Sequence, residues 1–504
     1  MAEADENKEN DPALPTAEQI AAWQALSKEQ RWALREREGA RLFAEAAEAH
    51  RAGNIDAALL GYGKALLLNP KIPDVYNNMG VALRVQGKLA AAVACYKRSL
   101  SLRPGYASVY SNMGNALREM GKLDASVSSH ETAIKLTPDN AEAHYNLGLA
   151  LRDLGQVERT MECFDAALSM NPDHVECHWD RALTRLLMGD YKAGFAEYDW
   201  RWKLLRSPPR GYSEPQWDGS DFKGKTLLIH QEQGFGDMIQ FARYLPMVKA
   251  RGGTVVVEVH PELSRLFSAM DGPDKVVNRG APLPRFDLFI PTITLARIFE
   301  TDAETIPAET PYIKAPEMET LRLPPGLDGQ SRIGIAWAGR PTHKNDSNRS
   351  CALTHFIDLA SVPGVNIFSL QKGPREADII EHGCAALIAN LGPRLNDFAD
   401  TAAILEQLDL VITVDTAVAH LAGALGKEVW VALPFAPDWR WLLETEKSPW
   451  YPTMRLFRQD SPGDWDGVFA DILRALQDRM RDAVAALTPE APTPNALTPK
   501  TGDG

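Results

Sequence analysis

From about residue 39 the chain repeats itself with a fixed period. Pro70, Pro104, Pro138 and Pro172 fall 34 residues apart, as do Gly53, Gly87, Gly121, Gly155 and Gly189 and a second set, Gly80, Gly114 and Gly148. A period of that length fits a stack of two-helix units, each too small to bury its apolar face alone. The second glycine set lets paired helices approach closely, and the first sits in the turn between them. The proline ends the second helix because it has no N–H and clashes with the preceding turn. Tyr62, Tyr96 and Phe164 take one packing position of the second helices; Ala65, Ala133 and Ala167 take another. His130 and Ser99 depart from these patterns. Five units reach about Leu205, the fifth degenerate, with Ala182 in place of the early glycine and no proline on schedule. A worn terminal unit is expected where an array docks onto something else.

The period is the tetratricopeptide signature, so residues 39–206 read as an all-α solenoid behind an acidic start, expected to be disordered, and a helix at 1–38. Asn78, Asn112 and Asn146 recur in phase on the first helices, which line the concave face. An amide both donates and accepts, so a row of them can clamp an extended peptide backbone without reading its side chains. The row resembles the asparagine ladder of O-linked N-acetylglucosamine transferase, although Ala44 and Asp180 fill the outer places. His174, Cys177 and His178 straddle a repeat junction without a partnered cluster, so packing is expected there rather than a metal.

The net charge of -13 gives a nucleic-acid partner no general electrostatic support. No apolar run is long enough to span a membrane, and the acidic start is unlike a secretory leader. The five cysteines are scattered, with no Cys-x-x-Cys pair, so a reducing cytoplasm is expected.

Residues 207–224 are Pro- and Gly-rich and form a linker. Beyond it the periodicity changes to alternating β and α. Thr226–His230 reads as a buried strand running into Gln231-Glu-Gln-Gly-Phe-Gly-Asp237, with Met238–Ala250 as a helix. Val255–Val259 and Phe286–Pro291 are further strands. Gly234 and Gly236 permit a tight turn whose N–H groups could face a ligand, but Ile239 stands where a dinucleotide fingerprint needs its third glycine. After a second linker, Ile333–Trp337 and Ile367–Leu370 read as strands, the latter ending at Gln371-Lys-Gly373. Leu410–Val414 is a strand buried on both faces. Asp415 and Thr416 supply cap chemistry, Ala417–Leu425 is a helix closed by Gly426, and Glu428–Leu433 is the next strand. Lys344 and Arg349, Lys372, and the helix start at Thr416 thus converge on one sheet edge, which favours a diphosphate or nucleotide.

Asp415-Thr-Ala-Val-Ala-His-Leu-Ala-Gly-Ala-Leu-Gly-Lys427, with Gly234-Phe-Gly-Asp237 upstream, resembles the heptosyltransferase family. The likeness covers about residues 222–480, and is closer still to bacterial tetratricopeptide glycosyltransferases. It implies a GT-B fold: two Rossmann-like halves, 225–318 on the acceptor side and 325–482 binding the donor. By its own composition the low-complexity tail at 483–504 is expected to be disordered. It also implies roles. Asp237 would be the general base, with Glu232 its rival and His230 a weaker one. Gly234, Gly236, Lys344, Arg349, Gln371, Lys372, Asp415, Thr416, Ala417 and His420 would hold the donor, with Asp415 on a sugar hydroxyl. No metal and no cofactor beyond the nucleotide-sugar substrate is implied.

The expected function is inverting transfer of a sugar to Ser or Thr of a protein held by the array. Flagellin as acceptor and a CMP-activated nonulosonic acid as donor are suggested by analogy. The alternatives are an adaptor with a degenerate sugar-nucleotide domain, or an epimerase that consumes donor without acceptor.

Overall fold

The computed structural model describes residues 17–205, 208–318, 321–323, 330–343 and 345–487. The chain divides into two compact units, Met1–Asp173 and His174–Gly504.

The first unit is a helical array. Its helices Ile55–Leu68, Pro73–Val85, Leu89–Leu102, Ala107–Glu119, Leu123–Leu136, Ala141–Asp153 and Val157–Met170 follow the sequence period. The expected boundary at 38 and 39 is absent: one helix runs from Lys28 to Arg51, begun by a capping box between Ser27 and Gln30. Gly53, Gly87, Gly121 and Gly155 have φ of +80°, +72°, +72° and +74°, the left-handed turn that the repeat predicts. Each scheduled proline follows a residue held out of the helical region, Asn69, Arg103, Thr137 or Asn171, with φ between -132° and -143° and ψ between 83° and 98°, as proline requires of its predecessor.

The early glycines are explained by ring contacts. A Cβ on Gly80 would lie 2.5 Å from the Tyr96 ring, one on Gly114 2.5 Å from His130, and one on Gly148 2.6 Å from Phe164. His130 therefore serves as one more flat ring against a glycine, and burial holds its pKa down at about 4. Ser99 fills an alanine slot and satisfies its hydroxyl on the Pro73 carbonyl at 2.8 Å.

The second unit opens with the helices Val175–Leu187 and Tyr191–Tyr198, which carry the fifth repeat. Where earlier units place alanine, this one has Arg201, and the second helix tightens into a 3-10 turn over Asp199–Lys203. Two parallel sheets follow. The first contains β1 (Thr226–His230), β2 (Thr254–Val259), β3 (Lys275–Asn278) and β4 (Leu288–Pro291) in the order β3-β2-β1-β4. The second contains β5 (Ser331–Ala336), β6 (Val365–Ser369), β7 (Ile388–Asn390), β8 (Leu410–Val414), β9 (Val429–Leu433) and β10 (Met454–Arg458), ordered β10-β9-β8-β5-β6-β7. Counted from β5, this is the doubly wound order with its switch point between β5 and β8. The helix Trp465–Leu487 covers its core, with Ile472 and Leu476 fully buried beside Ile333, Ile412 and Val414.

The helix expected at Met238–Ala250 starts earlier and breaks: Phe235–Phe241, a 3-10 turn, then Leu245–Lys249. Pro246 lacks the N–H that a continuous helix would need. Thr416 is the N-cap of the helix Ala417–Ala424 but makes no side-chain cap; its hydroxyl lies 3.2 Å from that of Thr413 instead.

The glycine–ring contacts yield a stability prediction. Gly148→Ala should lower stability by about 1 kcal/mol, since overpacking of about 1–3 kcal/mol outweighs the better helix propensity. Adding Phe164→Leu should recover most of it, read from the midpoint of urea unfolding.

Candidate active site

Two strand ends build the site. At the end of β1, Gln231–Gln233 lead to Gly234, and Gln233 is held at φ +33° with its Nε2 donating to the Tyr198 hydroxyl at 2.8 Å. At the end of β8, Val414 leads to Asp415, Thr416 and the Ala417–Ala424 helix. The two following helices meet at their starts. A Cβ on Gly236 would lie 2.7 Å from His420 Cδ2 and 3.6 Å from Ala417 Cα. Gly236 is thus demanded by the opposite lobe. Gly234 donates its N–H to Asp237 Oδ2 at 2.7 Å, so it does not present that N–H to a ligand as the turn suggested.

Asp237 is the centre of a charge cluster that crosses the lobes. Its second oxygen, Oδ1, accepts from Arg440 Nη2. Arg440 is buried, donates to Asp438 at 2.7 Å and to Gln240 Oε1 at 2.6 Å, and stacks on Trp439. Asp415 is buried nearby; burial, then the like charge of Asp438, pushes its carboxyl up to about 6, opposed by Arg349 and Arg440. Arg349 is mostly buried, with Asp346 3.6 Å from its Nε. His343, exposed on the same loop, is held below the usual imidazole value by desolvation and by Arg349, against the pull of Asp346, Asp237 and Asp438.

The other expected site residues divide. Glu232 is corrected as rival base: Arg201 binds both its oxygens, at 2.8 and 3.0 Å, and the Ile293 N–H takes one of them at 3.0 Å. His230 is buried and held at about 3, facing the core. Gln371 is also corrected. Its Oε1 accepts from the Trp337 and Ala338 N–H groups at 3.0 Å each and its Nε2 donates to Ala338 and Lys372 carbonyls, so it shapes the loop after β5 rather than facing a donor. Lys372 is half exposed and donates to the Gly392 carbonyl at 2.8 Å. His420 is buried, stays neutral through desolvation, and shares a 3.0 Å hydrogen bond with the Tyr451 hydroxyl. Lys344 lies outside the described residues. In the first unit, Asn112 donates to Asn77 at 2.9 Å, Asn77 donates to Asn78 at 3.2 Å, and Asn146 donates to Glu142 at 3.2 Å. The ladder amides are therefore partly engaged by neighbouring side chains of the array, Asn77 and Glu142. His174 caps its helix through Cys177 N, and His178 stacks 3.6 Å from Trp200 while bonding Glu197.

Arg440 and Asp438 were not singled out from the sequence. The signal was there: Pro437-Asp-Trp-Arg-Trp441 follows β9, the neighbour of β8, at the same carboxyl edge. Arg201 could have been found as a charge in an alanine slot.

An all-helical repeat array and a two-sheet parallel α/β unit with a polar interlobe seam define the class. Tetratricopeptide repeat models match residues 73–106 and 141–174, and a TPR repeat model matches 114–151. The model for glycosyltransferase family 9 (heptosyltransferase) matches residues 367–433, from β6 to β9. The tetratricopeptide and glycosyltransferase family 9 models thus match separate stretches of one chain. It is similar to Protein FlbA of Caulobacter vibrioides, 27% identical over 334 residues, which is 59% of this chain and 54% of that protein. The chain thus spans about half the length of the curated relative it matches. Among solved structures, MamA from Desulfovibrio magneticus is 22% identical with a TM-score of 0.31, over 34% of this chain and 96% of that one. Pseudomonas aeruginosa pilF is 20% identical with a TM-score of 0.31, over 33% and 76%. Among the described residues, no helix is long and apolar enough to cross a membrane.

Glu232→Ala should destabilise the second unit by about 3 kcal/mol, because it strands the buried Arg201 charge. Arg201→Met with Glu232→Leu should recover much of that in urea unfolding. Asp415 gives a pH signature. Its native pKa lies above the unfolded value of 3.8, so its contribution falls as pH rises from about 4 through about 6. The stability of Asp415→Asn relative to wild type should therefore rise across that window and be flat below it. The buried histidines titrate in the opposite sense in both proteins and cancel.

Proposed function

We propose that this chain is a glycosyltransferase that moves a sugar from a nucleotide-sugar donor to a Ser or Thr hydroxyl of a protein acceptor engaged by the repeats. The observation that carries the reading is the meeting of the Gly234–Asp237 turn with the Thr416–Ala417 helix start, Gly236 against His420, at the carboxyl ends of β1 and β8. Ligands of open parallel sheets bind at such edges. The family 9 match spans the second of these elements.

In this reading the donor's phosphates lie by the Ala417–Ala424 helix start and Arg349, with Lys372 on a neighbouring loop. Asp237 takes the acceptor hydroxyl proton as that oxygen forms its bond to the anomeric carbon. The bond from that carbon to the leaving phosphate oxygen breaks with its electron pair passing to the phosphate, and the guanidinium groups offset the charge. One displacement inverts the anomeric centre, and these cations make a metal unnecessary. The in-phase amides of the first unit support a peptide as the second substrate.

Flagellin, co-expressed with the protein and a full set of sugar nucleotides, is the acceptor to try first. Its mass should increase by whole sugar residues, and Asp237→Asn should slow the transfer about 10²–10⁴-fold. Saturable nucleotide binding with no mass change on any acceptor would favour the adaptor reading instead.

A further inference from the structure

In this structure the carboxylate assigned as base is not free. Asp237 Oδ1 accepts from Arg440, while Oδ2 is fixed by the Gly234 N–H at 2.7 Å. The Asp237 side chain is 19% exposed and that of Arg440 8%, so the pair is shielded from water and from screening by salt. An oxygen whose lone pair is held by a guanidinium is a poor acceptor for a substrate proton.

The pair has two further properties. Arg440 follows β9, beside β8 and its switch point, and it shares with Arg349 the electrostatic surroundings of Asp415. A diphosphate at that edge would come within reach of both guanidiniums. It also carries more charge than one carboxylate and can accept two parallel N–H bonds from arginine. Asp237, for its part, does not depend on Arg440 for its position, because the Gly234 N–H holds it to its own helix.

Resting on the glycosyltransferase reading, we propose that Asp237–Arg440 is the resting latch of the site and Arg440 a phosphate-binding residue. The donor's diphosphate competes with Asp237 for Arg440 Nη2 and thereby releases the Asp237 oxygen for the acceptor proton. Asp438 and Gln240 hold the rest of the guanidinium during the exchange, at 2.7 and 2.6 Å. The base thus becomes available only when a donor is present.

The test uses inorganic pyrophosphate as probe, titrated calorimetrically into the full chain at low ionic strength. Asp237→Asn removes the competitor, so it should bind pyrophosphate about tenfold more tightly than wild type. Asp237→Asn with Arg440→Gln should lose that gain. Asp237→Asn with Arg440→Lys keeps a charge in the site should the glutamine variant unfold, and it should retain only part of the gain. Equal affinity in wild type and Asp237→Asn, or a gain that persists without Arg440, overturns the latch alone. No pyrophosphate binding by wild type or Asp237→Asn overturns the diphosphate site and the latch with it, while the glycosyltransferase reading stands or falls separately on transfer of sugar mass to the acceptor.

Discussion

The contact on which the second unit depends is the close approach of two helix starts, one from each lobe. Gly236 has no side chain because His420 and Ala417 occupy the space. The contact is reinforced along the seam. Phe235 meets Phe398 with ring centroids 5.1 Å apart, and Arg265 pairs with Asp397 and Asp400. Arg243, buried, reaches the Trp450 carbonyl at 2.8 Å and lies over the Tyr312 and Tyr451 rings. These ties fix the distance between the carboxyl ends of β1 and β8, and so the distance between Asp237 and the β8 helix. A base and a leaving-group site on different sheets work together only if that distance is fixed.

The last repeat contributes to the same rigidity. Its second helix lays Tyr191 and Phe195 among Trp439, Trp450 and Phe241, with ring centroids 5.5–6.5 Å apart. Arg201 then ties the 3-10 turn to Glu232, next to the strained Gln233. The loop that carries Arg440 is therefore backed by repeat residues. This explains why the fifth repeat departs from the pattern: its slots are filled for contact with the α/β lobes, not for stacking another repeat.

The period, the turn glycines and most strands were legible in the sequence because each is a local signal. Left-handed φ at Gly53 or Gly87 and the apolar run Leu410–Val414 depend on few distant contacts. The site was legible only in part. Gly236 was read as a ligand-facing glycine, although the packing it allows is with a residue 184 positions away. Glu232 and Gln371 carry the right chemistry in the right loops, but their partners, Arg201 and the Trp337–Ala338 backbone, come from other elements. A single strand end cannot show whether its polar residue faces a ligand or is consumed by a neighbour.

The charges in the seam limit what it can bind. Asp237, Asp438 and Asp415 stand against Arg440 and Arg349. Two unit charges 4 Å apart at a protein surface interact by about 4 kcal/mol. A diphosphate entering this cluster must therefore neutralise or displace a carboxylate. Asp415 already holds its proton to about 6 through burial and Asp438, and an incoming phosphate shifts it further the same way. As the neutral acid it no longer repels a phosphate and can donate a hydrogen bond. The buried acid at the tip of β8 is thus compatible with an anion in its protonated form, while Asp237 is fixed by the Gly234 N–H. Two carboxylates at one seam are thus held differently, one buried beside a like charge and the other paired with a guanidinium.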